Sequence, residues 1–147
     1  MLIYFAGPLF SMAERSFNLR LANHLEEAGY EVFLPQRDGA EILRLQLDER
    51  RRAIFEAERD KILEADVFLF VLDGRVPDEG AAVELGMAYA QRHLEHHRKL
   101  LLGFHSDIRG AFHGSKLNPM LLGPLERIVG NEEELLEALE LHRSKIR

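Results

Sequence analysis

The chain has 147 residues, 46% of them hydrophobic and 30% charged, with a formal net charge of −6. That is the size and balance of one globular domain over 1–147, and the negative charge argues against partnership with a nucleic-acid polymer, whose backbone wants a basic face. The sequence holds no cysteine, which excludes disulfides, a thiolate nucleophile and a Cys-ligated metal and suits a reducing, cytoplasmic setting.

In chain order, residues 2–6 form a short apolar run ended by Gly7-Pro8, read as a buried strand and a turn. There is no basic leader and no long apolar segment, so neither a signal peptide nor a membrane span is expected. A helix follows over about 13–28, with Phe17, Leu21, Leu25 and Ala28 at helical spacing and Gly29 just past its end. Residues 30–34 form a second strand closed by Pro35, and the βαβ unit implies a parallel, right-handed crossover. Residues 36–39 read as a polar turn. A helix-rich region spans 40–64, with a break near Asp48 and apolar anchors at Phe55, Ile62 and Leu63. Within it, Arg50-Arg51-Arg52 has the chemistry to hold phosphate, but the acids on both sides favour a solvated helix face.

Residues 67–72 are apolar throughout, as in a central parallel strand covered on both faces. The stretch 73–91 then turns through Gly74, Pro77 and Gly80 into a helix that carries Glu84 near its start. A polar helix end over 92–98, a fourth strand over 100–104 and a glycine-bearing loop over 105–118 come next. A short fifth strand at 127–129 precedes a terminal helix over 132–142, with Asn131 as its N-cap and Leu135, Leu136 and Leu139 facing inward. The pattern predicts an α/β fold: a single doubly wound, flavodoxin-like parallel sheet of about five strands, order 2-1-3-4-5, with helices on both faces. Its switch point lies between strands 1 and 3. The loops that begin at Gly7 and at Asp73 therefore meet at one ligand-binding crevice.

Several chemistries lose their support there. No GxGxxG follows the first strand, no GxxxxGK[ST] occurs, and Ser11 lacks a GxSxG setting. His93 and His97 have metal-ligand spacing but no evident third ligand, so no metal and no cofactor are expected. Carboxylates remain: Asp60, Asp73, Asp78 and Glu84, with Asp38 as a further candidate. Two carboxylates around one anomeric carbon are what glycosyl chemistry needs. Glu84 lies within two turns of a helix N-terminus, where the dipole favours an ionised nucleophile. Yet Asp78 reads equally as an N-cap, Glu84 as a solvated helix residue and Asp60 as an ion-pair partner. The residues alone give a small-molecule enzyme with an acidic site and leave the roles open.

Four segments carry a resemblance. They are Tyr4-Phe5-Ala6-Gly7-Pro8-Leu9-Phe10, Asp60 ahead of Ala65-Asp66-Val67, Asp73-Gly74, and Asp78-Glu79-Gly80-Ala81-Ala82-Val83-Glu84-Leu85-Gly86-Met87-Ala88-Tyr89-Ala90. In this order they resemble the nucleoside 2-deoxyribosyltransferase family, from Leu2 to about Asn118. The resemblance implies transfer of a 2-deoxyribosyl group between nucleobases, with a deoxyribonucleoside and a free nucleobase as partners. Glu84 would be the nucleophile at C1′, Asp78 the acid on the sugar hydroxyls, Asp60 the acid near the departing base and Tyr4 the hydroxyl that positions the nucleophile. Gly7, Pro8, Leu9 and Phe10 would wall the base pocket, with Phe10 and Met120 closing over the base. Asn118 would complete the site of a neighbouring subunit in a dimer or hexamer. Two alternatives stand beside this: a 2′-deoxynucleoside 5′-phosphate N-hydrolase using the same glutamate, and a non-catalytic sensor of nucleotide derivatives.

Overall fold

A computed structural model describes residues 1–95, 98–109 and 117–146. Five parallel strands build one sheet in the order β2-β1-β3-β4-β5. They are β1 (Leu2–Ala6), β2 (Glu31–Phe33), β3 (Val67–Val71), β4 (Leu100–Phe104) and β5 (Arg127–Val129). This is the expected doubly wound order, and the side-chain period of two explains its layers. From β1 and β3, Ile3, Phe5, Val67, Leu69 and Val71 point to one face. There they meet α1 (Met12–Glu27) through Leu21, Ala22 and Leu25, and the terminal helix α6 (Glu132–Ile146) through Leu135 and Leu139. Tyr4, Ala6, Phe68 and Phe70 point to the other face, against α3 (Leu47–Glu64) through Ile62 and α4 (Glu79–Leu94) through Ala81, Leu85 and Ala88. Burial on both faces is why β3 reads as an unbroken apolar run.

The helix ends follow local chemistry. Ser11 and Glu14 form a reciprocal capping box at the start of α1. Asn131 accepts from the Glu134 amide at the start of α6. Gly29 takes a positive φ of 83° just past the end of α1.

Some expectations are corrected. Residues 35–44 are not a simple turn and helix. Pro35–Asp38 form a short helix, α2, and Ala40–Arg44 a 3₁₀ turn, before α3 starts two residues later. Ala28 is exposed, and Ala22 takes the inward place expected of it. Phe55 is 56% exposed and Leu63 39%, so neither anchors α3. The helix lies on the sheet in the phase Ile54, Glu58, Ile62, and of these only Ile62 is fully core. The last helix runs a turn beyond His142. Among the described residues, no helix is long and apolar enough to cross a membrane.

Gly7 matters most for the site. At φ 155° it lets the chain leave β1 tightly against β3, and an added Cβ would lie 2.9 Å from the Val71 Cβ. The loop after β1 is thereby held beside the loop that leads into α4.

Candidate active site

The site is built at the carboxyl ends of β1 and β3, where a doubly wound sheet opens a crevice. Ala81, Leu85 and Ala88 seat α4 on the sheet. Glu84, three residues after Ala81 and four before Ala88, shares that inward face. Its Oε1 accepts a 3.0 Å hydrogen bond from the Tyr4 hydroxyl. Tyr4 is fully buried, and its ring is stacked between Phe33 and Phe68 at 5.6 Å from each. The nucleophile candidate is thus held from beneath by a side chain with no room to turn.

Asp78 is the N-cap of α4, its Oδ2 accepting from the Ala81 amide at 2.9 Å. It also lines the same cleft as Glu84, a space of about 350 Å³. Cap and site residue are therefore compatible readings of Asp78. The third carboxylate is one that sequence reasoning missed: Glu58 of α3 lines the cleft beside them. Ile54 and Ala57 from the same helix face continue the wall, with Phe33, Ile42 and Leu43 beyond. Apolar and acidic side chains so line one cleft, and Glu58 shares its helix face with the apolar Ile54 and Ala57.

Burial and neighbouring acids raise two of the three carboxyls, Glu84 and Glu58. Glu84 is pushed up to about 7, first by burial, then by the Glu58 charge and more weakly by Asp78, against the Tyr4 hydrogen bond that lowers it. Glu58 is raised by burial and by Asp78. Tyr4 is raised well above the ordinary phenol range by burial and the Glu84 charge, so its hydroxyl remains a donor.

Other expected site residues fall in different places. Gly7, Leu9 and Phe10 line the cleft. Pro8 is turned to the loop's own support, its carbonyl accepting from Asn18 Nδ2 at 2.9 Å. Asp60 is not brought to the cleft; it lies on the solvent side of α3, 64% exposed, paired with Arg59 at 2.7 Å. The reason is helical phase: two residues from Glu58 is about 200° around the axis. Asp73 accepts from the Ser106 amide and hydroxyl and from the Asp107 amide, tying together the loops after β3 and β4. Asp38 accepts from the Leu34 amide and pairs with Arg37.

Asn118 caps α5 (Pro119–Leu122) by accepting from the Met120 amide at 2.9 Å. With the exposed Met120 it lines a separate groove along α4, with Val76, Pro77 and Tyr89. Neither reaches the cleft of its own chain. Of the arginine cluster, Arg50 donates to the Leu45 carbonyl, Arg51 pairs with Asp48 and Arg52 with Glu56. His93 stacks on Tyr89. His97 and residues 110–116 lie outside the described residues, among which no group of three metal-binding side chains occurs.

A family model described as nucleoside 2-deoxyribosyltransferase matches residues 3–120. No curated protein matches the chain. Among solved structures, a conserved protein from Enterococcus faecalis V583 is 24% identical with a TM-score of 0.73, covering 96% of this chain and 98% of that one. The 2-deoxyribosyltransferase of the psychrotolerant bacterium Bacillus psychrosaccharolyticus is 21% identical with a TM-score of 0.71, covering 92% of this chain and 90% of that one. Both likenesses are of fold.

Proposed function

The chain belongs to the nucleoside 2-deoxyribosyltransferase family, and from that premise we propose that it exchanges nucleobases on 2′-deoxyribonucleosides by a retaining double displacement. The observation that carries this reading is Glu84, pinned by buried Tyr4 in a cleft that apolar side chains and two further acids, Glu58 and Asp78, also line. Ionised Glu84 attacks C1′ from the face opposite the base. The C1′–N bond breaks, a deoxyribosyl ester forms on Glu84, and the departing base takes a proton. A second base attacks C1′ from the vacated face, restores the carboxylate and leaves the configuration unchanged. Positive charge on the sugar in both transition states is met by Glu84 and Asp78. Phe10 and the apolar wall favour an organic base over water as acceptor, with slow hydrolysis as a side reaction.

The resemblance implies Asp60 as the acid near the departing base, where it would orient the base or relay its proton. We assign that role to Glu58, which stands in the cleft with its proton affinity raised by burial. A general acid must lie within reach of the atom it protonates, and an exposed Asp60 on the far side of α3 does not meet that condition.

The charged side chains lining the cleft, among the described residues, are all acids. This favours a nucleoside over a 5′-monophosphate, whose dianion they would repel. Asn118 and Met120, placed away from their own cleft, are read as completing the site of a second copy in a homo-oligomer. Deoxyinosine plus free adenine tests the activity: a deoxyadenosine product supports transfer. Release of free base from a deoxynucleoside monophosphate without exchange would favour the hydrolase instead. Glu84→Ala mixed with Asn118→Ala protein should regain exchange activity if sites are shared.

A further inference from the structure

The cleft has a charge balance that a neutral nucleobase does not use. Glu58, Asp78 and Glu84 converge on it, and no cationic side chain stands among its described lining residues. The titratable groups that face Glu84 are Tyr4 from β1, Glu58 from α3 and Asp78 from the N-terminus of its own helix. Tyr4 donates to Glu84 but carries no positive charge. The acids therefore face one another uncompensated, and burial strengthens the repulsion. Any ligand that places a positive charge among these acids relieves it.

Glu58 shares the cleft-lining face of α3 with Ile54 and Ala57, so its carboxylate stands beside the apolar wall offered to the base. A base lying on that wall, with its sugar toward Glu84 and Asp78, puts its ring against Glu58. We infer that the site accepts deoxyribosides of cationic, N-alkylated nucleobases, and binds a cationic base more tightly than its neutral counterpart. This rests on the proposed deoxyribosyl transfer and extends it to a second class of donor.

The chemistry balances without an added reactant. Glu84 attacks C1′ and forms the ester. The C1′–N bond breaks, and its electron pair neutralises the charged ring. The alkylated base departs as a neutral molecule, so no proton enters and Glu58 stays ionised. When a neutral acceptor base attacks C1′, the ester opens, Glu84 is released as carboxylate, and the acceptor's N–H proton passes to Glu58.

Two measurements on the full-length protein test this. The first is inhibition of deoxyinosine–adenine exchange by 7,9-dimethyladeninium, permanently cationic, and by neutral 9-methyladenine. The expected result is inhibition about tenfold tighter by the cation. That preference should grow from pH 6 to pH 8 as Glu84 ionises, and shrink in Glu58→Gln. Equal inhibition, or a preference that does not change with pH, would overturn the inference while exchange itself leaves the transferase reading standing. The second is release of 7-methylguanine from 7-methyl-2′-deoxyguanosine at pH 6, with folded Glu84→Gln as the control for spontaneous loss. Release above the control supports the inference; release equal to the control, while deoxyinosine exchange proceeds, sinks it. Absence of exchange with every donor would instead remove the reading on which it rests.

Discussion

The Tyr4 hydroxyl donates to Glu84 Oε1 at 3.0 Å, joining the first strand of the sheet to the second turn of α4. Two rings, Phe33 and Phe68, sandwich the tyrosine, so the bond is fixed by packing as well as by chemistry. It favours the Glu84 carboxylate, and burial, Glu58 and Asp78 oppose it.

Removing that bond should move a titration. A nucleophile works ionised, so the acidic limb of kcat/KM for a deoxyribonucleoside should lie near pH 7, where Glu84 loses its proton. Tyr4→Phe keeps the stacked ring but loses the donor, which pushes Glu84 higher. The acidic limb of the profile should shift to higher pH, and activity at pH 7 should fall by about tenfold, the worth of one such hydrogen bond. An unmoved limb would show that Tyr4 does not govern Glu84.

Asp78 separates two roles in one side chain. Asp78→Asn keeps an oxygen for the Ala81 amide, so the melting temperature should hold while the charge beside the sugar is lost. Asp78→Ala should cost about 1 kcal/mol through the lost cap as well. Full activity in a stable Asp78→Asn protein would reduce Asp78 to a helix cap.

Glu58 and Asp60 make an opposed pair. Glu58→Gln should lower exchange from neutral donors by about a hundredfold, in the range of general-acid effects. It should also shift the acidic limb to lower pH, because a like charge beside Glu84 is gone. Asp60→Asn, changed on the solvent side of α3, should stay within about twofold. The reverse ranking would return the role to Asp60.

Glu84 should also cost stability. Its folded value, about 7, lies above the ordinary 4.5. The folded protein thus holds the proton more tightly, and stability falls as pH rises between those values. The penalty is absent below the lower value and complete above the higher. At about 1.36 kcal/mol per unit it amounts to about 2–3 kcal/mol after allowance for partial exposure. Glu84→Gln should therefore melt above the wild type at pH 8 and level with it near pH 4.5. Identical melting at both would show that Glu84 is not held against its preference.

Much of this was legible from the sequence. The run 67–72, the glycines and proline after it and the inward spacing of Ala81, Leu85 and Ala88 place Glu84 at a strand–turn–helix junction. Glu58 was not legible, because α3 is rich in acids and only packing decides which one turns inward. A signal was present: Ile54, Glu58 and Ile62 recur every four residues, so Glu58 occupies an apolar phase where a carboxylate is out of place. Asp60 fits the family pattern by its place ahead of β3, but lies out of that phase. The short helices over 35–44 escaped because four- and five-residue elements carry too little periodicity to read.

The central claim is that Glu84 carries the sugar between bases, and a trapped intermediate tests it most directly. The protein is mixed with deoxyinosine and no acceptor, quenched in acid within the first turnover, and its mass measured intact and after proteolysis. The expected result is one added deoxyribosyl group per chain, located on the peptide that contains Glu84, lost on adding adenine and absent in Glu84→Gln. Base exchange that proceeds at full rate in Glu84→Gln, or an adduct mapped to Glu58 or Asp78, would contradict it.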